Sequence, residues 1–349
     1  MNPAPYTKLL ILFLLTFSFT CQAELFSFEQ RIPSHPSLGP NELAVIINKA
    51  DPLSATLGEY YVAKRRIPKE NVIYVSFPPG DKIMSRQQFA SIKSHVDEVT
   101  PYNVQAYALT WIAPFRVDCM SITTAFAMGF DPEFCAKGCE PTKKNPYFNS
   151  LSHRPWADYR MRPTMSIAAT SLKNGIDLIK RGVAADFSYP SGTAYLVSTT
   201  DKNRNVRSNF YPLLRKRLDP VFAIEQIRTN ALKNKKDVLF YITGLKKVKK
   251  LETLHFHPGA IADHLTSAGG ILTGSAQMSS LRWLEAGATG SYGAVVEPCN
   301  FVQKFPHPIV VMQHYLNGDT LIEAYWKSVA WPGQGIFIGE PLAKPFSLF

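Results

Sequence analysis

The sequence predicts an α/β fold in which a mostly parallel central sheet lies between two layers of helices, and three observations carry that expectation. The 349 residues are 46% hydrophobic, 12% aromatic and 19% charged, a composition that supports a large core and excludes a disordered chain. Continuous apolar runs of strand length recur along it, as expected of strands buried on both faces. Amphipathic stretches of helical period separate these runs, at the spacing of strand-helix-strand units joined by right-handed crossovers. The 26 Pro and 20 Gly follow no Gly-X-Y period, which excludes collagen. A mean hydropathy of −0.08 leaves room for at most one membrane-length segment.

After a Pro-rich arm (Pro33, Pro36, Pro40), the run LAVIIN at Leu43–Asn48 reads as the first strand. A helix follows: Asp51 caps it, Pro52 suits its first position, and Leu53, Leu57, Tyr60 and Tyr61 form its apolar face. Lys64, Arg65 and Arg66 complement its dipole before Pro68 stops it. Val72–Phe77 is a second strand, and Ser85–Val99 is a helix with Ser85 and Gln88 as its capping box. Val104–Ile112 is a third strand. From 113 to 163 the alternation lapses except for a short helical stretch at Ser121–Met128. Fifty residues without regular structure imply a functional or cross-linked segment, here read as an insertion. Alternation resumes with strand Met165–Ala169, helix Ser171–Arg181, strand Thr193–Thr199, a helix near Val221–Leu232 and strand Val238–Thr243. An amphipathic Ser279–Ala286 and strand Gly290–Val296 complete it. Residues 24–349 are therefore read as one domain with an insertion.

Residues 1–23 place Lys8, an apolar run from Leu9 to Thr20 and a small-residue exit at Ala23 in the order of a secretory signal. The run falls short of the ~20 residues of a spanning helix, so no transmembrane anchor is expected after its removal. Cys21 as a lipidation site is the competing reading. The expected location is the periplasm or the exterior. In such an oxidising compartment the four remaining cysteines, Cys119, Cys135, Cys139 and Cys299, are expected to form disulfides. Three connectivities are open; one closes CAKGC on itself and leaves Cys119 with Cys299. A zinc site is the alternative use of these thiols, and the primary expectation is no metal and no cofactor.

The formal charge of +11 is concentrated in RKR (Arg215–Arg217), KNKK (Lys233–Lys236) and KKVKK (Lys246–Lys250). These runs are either solvated loops and helix ends or a face for an anionic envelope polymer or a partner protein. Without interleaved aromatics, nucleic acid is not expected as a partner.

Ligands of open parallel sheets bind outside the carboxyl ends of the strands, which selects Arg116, Asp118, Asp201, Arg204 and Glu297. The most polar stretch, HFHPGAIADHLTSAGGILTG, adds a base at His264, hydroxyls at Thr266 and Ser267, and a carboxylate at Asp263. These residue types can support nucleophilic hydrolysis, with Asp201, Arg204, Arg116 and Glu297 positioning the substrate. The competing reading is a turn held by side-chain-to-backbone bonds. Two further uses are zinc on His255 and His257 with Asp263 or His264, and Cys299 as a thiol nucleophile with His264 as its base.

The segments AVIINKADPLSATLGEYYVAKRRIPKENV, CMSITTAFAMGFD, RGVAAD, TTDKNRNVRS, PGAIADHLTSAGG, GATGSYGAVVEPCNFVQKFP and AYWKSVAWPGQGIFIGEPLAKP resemble an uncharacterised secreted bacterial family. That family co-occurs with exosortase, the membrane enzyme that sorts proteins bearing a PEP-CTERM signal. The resemblance spans nearly the whole chain and implies an envelope setting, with a sorted surface protein among the partners, but no reaction. More distantly, VLFYITG followed by a polar turn, an amphipathic helix, GSYGAVV and GEPLAKP is similar to the gingipain and caspase-like peptidases. This implies a caspase-like or flavodoxin-like three-layer arrangement. Those enzymes carry Gly-His-Gly and then a nucleophilic Cys after successive strands. Here Thr243-Gly244-Leu245 replaces the first, and the turn at Asp263–Ser267 has no Cys.

Overall fold

The computed structural model describes residues 36–136, 138–219 and 222–348; the signal-like segment and Cys21 lie outside them. Strands β1 (Leu43–Asn48) and β2 (Val72–Val75) flank helix α1 (Pro52–Arg65). Asp51 caps α1 by accepting from Leu53 N–H at 3.0 Å, and Arg66 ends it with φ of 54°. After the short β3 (Ile83–Met84) comes α2 (Arg86–Val99), capped by Ser85 accepting from Gln88 N–H, then β4 (Ala106–Leu109). The insertion holds β5 (Arg116–Val117), β6 (Met120–Ser121), α3 (Ile122–Met128) and α4 (Pro155–Tyr159); β3, β5 and β6 make a small second sheet. The second half contains β7 (Thr164–Ser166), α5 (Leu172–Ala185), β8 (Thr193–Ser198), α6 (Tyr211–Leu218), β9 (Ala223–Arg228), β10 (Val238–Gly244) and β11 (Phe256–Leu265). It ends with α7 (Leu281–Glu285), β12 (Gly290–Ala294), α8 (Pro308–Leu316), α9 (Leu321–Ser328) and β13 (Gly335–Gly339).

Ten of the described strands form one sheet in the order β2-β1-β4-β7-β13-β12-β11-β10-β8-β9. Every pairing in it is parallel except β12 with β13, whose register runs from Gly290 opposite Gly339 to Ala294 opposite Gly335. The sheet is therefore two parallel blocks of opposite direction, joined at that seam. The carboxyl ends of β8, β10, β11 and β12 share one rim, and that of β4 lies on the other.

Side-chain alternation along the strands fixes the layers. Tyr241 and His264 meet Trp283 of α7, whereas their neighbours Phe240 and Asp263 meet Tyr315 of α8 and Arg207, so α7 and α8 cover opposite faces. Burial of all six residues of β1 and all seven of β10 matches their continuous apolar sequence.

The helix expected near Val221–Leu232 is instead edge strand β9, paired in parallel with β8 over six residues. Ile224 and Ile227 recur at a helix-like interval of three, but pairing with β8 satisfies the backbone in extended form. The insertion is cross-linked as expected, with a connectivity that leaves CAKGC open: Cys119 bonds Cys135 and Cys139 bonds Cys299, with Cα separations of 5.5 and 5.6 Å. Phe134, next to Cys135, is buried. Its carbonyl accepts from Gln334 Nε2 at 2.7 Å, which anchors the Pro132–Phe134 turn and leaves Cys135 facing Cys119.

Candidate functional site

The loop after β8 and the loop after β11 meet at the carboxyl rim of the second block. Residues 201–205 turn back on themselves, with Arg204 N–H and Asn205 N–H both donating to Asp201 O, and Asn205 Oδ1 accepts from Thr199 N–H. This turn lies directly on the end of β10. A Cβ on Gly244 would stand 1.7 Å from Arg204 O, so only glycine permits the approach.

The turn aims Arg204 at the end of β11. Its Nη1 donates to Asp201 Oδ2 at 2.9 Å and its Nε to Thr266 Oγ1 at 3.0 Å. Thr266 in turn donates to Gln277 Oε1 at 2.6 Å, and the same oxygen accepts Ala268 N–H at 2.9 Å. Arg204 and Asp201 remain about one-quarter and one-fifth exposed, and Ser267 is half-buried beside the fully buried Thr266. The result is a polar, partly open cluster whose charges balance, and among the described residues no hydrogen bond reaches the remaining guanidinium nitrogen, Nη2.

Beneath it, alternation sends Asp263 and His264 to opposite faces, and each is 1% exposed. Trp283 Nε1, a donor only, lies 2.9 Å from His264 Nδ1, so Nδ1 accepts and the proton sits on Nε2, which donates to Met278 O at 3.1 Å. Burial lowers the imidazole pKa to about 3, reinforced by Arg207 and Arg204 and opposed by the Met278 bond. Asp263 faces Arg207, whose Nη2 is 2.5 Å from Oδ1. Burial raises the Asp263 carboxyl above its ordinary range, and Arg207 pulls it back. Arg207 also donates to Thr243 O at 2.7 Å and Pro306 O at 3.3 Å, tying β10 and β11 to the segment before α8.

Of the residues selected from sequence, the fold brings Asp201, Arg204, Thr266 and Ser267 together. His264 and Asp263 lie under the rim, each engaged with other partners. Arg116 sits in β5 of the small second sheet, paired with Ile83 and Ser121, and no hydrogen bond or ion pair among the described residues joins it to the cluster. Asp118 pairs with Arg86. Glu297 is exposed and accepts Cys299 N–H at 2.8 Å, closing its own turn. Cys299 is held in a disulfide, so the thiol reading does not apply. His255 and His257 stand at the start of β11 and Asp263 and His264 at its end, about 20 Å of strand apart, so the two pairs cannot share an ion. Among the described residues no group of three or more His, Cys, Asp and Glu is set to hold a metal. A cleft of about 410 Å³ lined by Arg86, Phe89, Lys93 and Phe130 shares no residue with the rim cluster.

Sequence reasoning missed Gln277, Arg207 and Trp283. Arg207 lies two residues beyond Asn205 within TTDKNRNVRS, and Trp283 is on the apolar face of the helix before β12; nothing in the sequence marks Gln277.

No family model matches the chain, and no curated protein matches it. Two solved structures are similar in layout. One is the complex of Porphyromonas gingivalis RgpB pro- and mature domains, at 9% identity and a TM-score of 0.49, covering 87% of this chain and 80% of that one. The other is the Arg-specific cysteine proteinase gingipain R (RgpB), at 8% identity and a TM-score of 0.48, covering 89% and 80%. No residue role is transferred from either.

Proposed function

We propose that this is an extracytoplasmic envelope protein that binds a ligand at the rim cluster Asp201, Arg204, Thr266, Ser267 and Gln277 without hydrolysing it. The setting is supported by the signal-like first 23 residues, by the two disulfides and by the resemblance to the exosortase-associated family. Among the described residues no helix is long and apolar enough to cross a membrane.

The observation that carries the reading is the environment of His264. Both ring nitrogens are engaged, by Trp283 and Met278, so the imidazole has no hydroxyl to deprotonate, and a pKa of about 3 makes it a poor base at neutral pH. Thr266 spends its proton on Gln277 and a lone pair on Arg204. Arg204, about one-quarter exposed and with no hydrogen bond to Nη2 among the described residues, is the natural contact for a carboxylate or phosphate group of the ligand.

A fluorophosphonate probe and fluorogenic peptide and ester substrates test this directly. The expected result is no labelling and no turnover. Labelling of Ser267 or Thr266 that is lost in His264→Ala, with an unchanged melting temperature, would instead establish the hydrolase reading with His264 as base.

A further inference from the structure

Two lysine runs separated by a strand form one continuous track on the surface. Lys246 follows β10, and its carbonyl accepts Met278 N–H at the carboxyl end of the sheet block. Val248 is buried and pins the middle of the run, while Lys246, Lys247, Lys249 and Lys250 are exposed. Lys250 turns the chain with φ of 69°, and its carbonyl accepts from Thr253 Oγ1 at 2.8 Å. The same hydroxyl accepts Asn234 N–H at 3.1 Å, and His255 N–H donates to Lys235 O at 2.9 Å. The second run, Lys233–Lys236, is thereby stitched to the far end of the first. The track follows the length of β10, about 20 Å for seven residues in extended form.

Six of its cations, Lys233, Lys236, Lys246, Lys247, Lys249 and Lys250, have no carboxylate partner among the described residues; Lys235 pairs with Glu225 at 2.8 Å. The other acids nearby are Asp237, which accepts from Thr193 and Tyr195, and exposed Glu252. None of the large apolar side chains exposed on the surface lies between 233 and 255. The track therefore offers no exposed Phe, Tyr or Trp on which a base could stack, only the His255 imidazole beside Lys235, and no wedge to enter a bilayer.

We infer that this track is a binding face for a linear acidic polysaccharide. A row of point charges on short loops, anchored by one buried valine, fits an extended polymer of carboxylate or sulfate groups. Binding of this kind proceeds through counterion release and is steeply salt-dependent. The inference is independent of the rim cluster.

The test uses the full chain on immobilised polygalacturonate, with neutral dextran, phosphatidylglycerol-containing vesicles and single-stranded DNA as comparisons. One variant carries Lys233→Gln, Lys236→Gln, Lys249→Gln and Lys250→Gln. A second removes the same charge elsewhere, at exposed Lys49, Lys64, Lys69 and Lys180. The wild type should be retained at low salt on polygalacturonate and not on dextran. The track variant should bind at least tenfold more weakly, with a log affinity against log salt slope shallower by about 3, taking roughly 0.7 per contact as for a flexible polyanion. The second variant should bind like the wild type. Equal loss in both variants reduces the effect to net charge and overturns the inference, as does no retention or a preference for vesicles or DNA. Matching melting temperatures exclude misfolding as the cause.

Discussion

Replacing Arg207 by Met removes one half of an ion pair whose members are both 1% exposed. Asp263 then stays in the core without its cation, and neither of its oxygens has a hydrogen bond of good geometry to replace it. Breaking a buried pair by removing one partner costs about 3–5 kcal/mol. A chain of this size unfolds with an entropy of roughly 0.7 kcal/mol/K, so the melting temperature should fall by about 4–7 °C. Asp263 can relieve part of the cost by taking up a proton, since burial already raises its pKa above 3.8. The native state then binds that proton more tightly than the unfolded state. Its stability therefore falls as pH rises from the unfolded value up through the raised native one, and is level above it. Melting curves between pH 4 and 8 should accordingly show the smallest loss for Arg207→Met at the acid end. Adding Asp263→Asn should restore part of the stability, giving a favourable coupling in the double-mutant cycle. A variant that melts within 1 °C of the wild type at pH 7, or a double variant whose losses simply add, would refute the view that this pair locks β11 beneath the rim.

Other consequences are equally direct. His264 should show no titration by NMR between pH 5 and 8. Its pKa of about 3 lies below the unfolded value of 6.5, so its contribution to stability is complete above 6.5 and declines as pH falls below it; a midpoint near 6.5 would contradict the burial. Burial alone lowers the His153 imidazole, but Glu323 at 2.6 Å, with Asp319, outweighs it, and the pKa stands above 6.5. That stabilisation is complete below 6.5 and is lost as pH rises through the native value, so His153→Gln should flatten the slope there; an unchanged slope excludes His153 as its source. Peptide mapping of unreduced protein should recover Cys119 with Cys135 and Cys139 with Cys299. A linked Cys135–Cys139 peptide would overturn that connectivity. Removing the Cys139–Cys299 bond should cost about 2–5 kcal/mol in the melt. Gly244→Ala should be among the most damaging single-methyl additions, because the contact it meets is the Arg204 backbone; wild-type stability for it would mean that the 201–205 turn does not rest on β10.

Much of the architecture was legible locally. The runs at Leu43–Asn48 and Val238–Thr243, the caps at Asp51 and Ser85, and the helical faces between them are written in residue order, because periodicity and capping act over a few residues. Asp201, Arg204, Thr266 and Ser267 could be chosen because strand ends in parallel sheets are where loops converge. Edge strand β9 was misread because Ile224 and Ile227 satisfy a helical interval as well as a strand, and only a neighbouring strand decides between them.

What residue order alone determined is the α/β class, the alternation of elements and the supply of cysteines and polar groups. Tertiary structure alone decided the reversal between β12 and β13, which turns the carboxyl end of β4 to the opposite rim, the placement of Arg116 in the small second sheet, and the pairing of each cysteine. It also turned His264 towards Trp283, 19 residues away, and brought two lysine runs into a single track. Strand direction, disulfide partner and side-chain environment depend on contacts between residues remote in sequence, and local propensity carries no term for them.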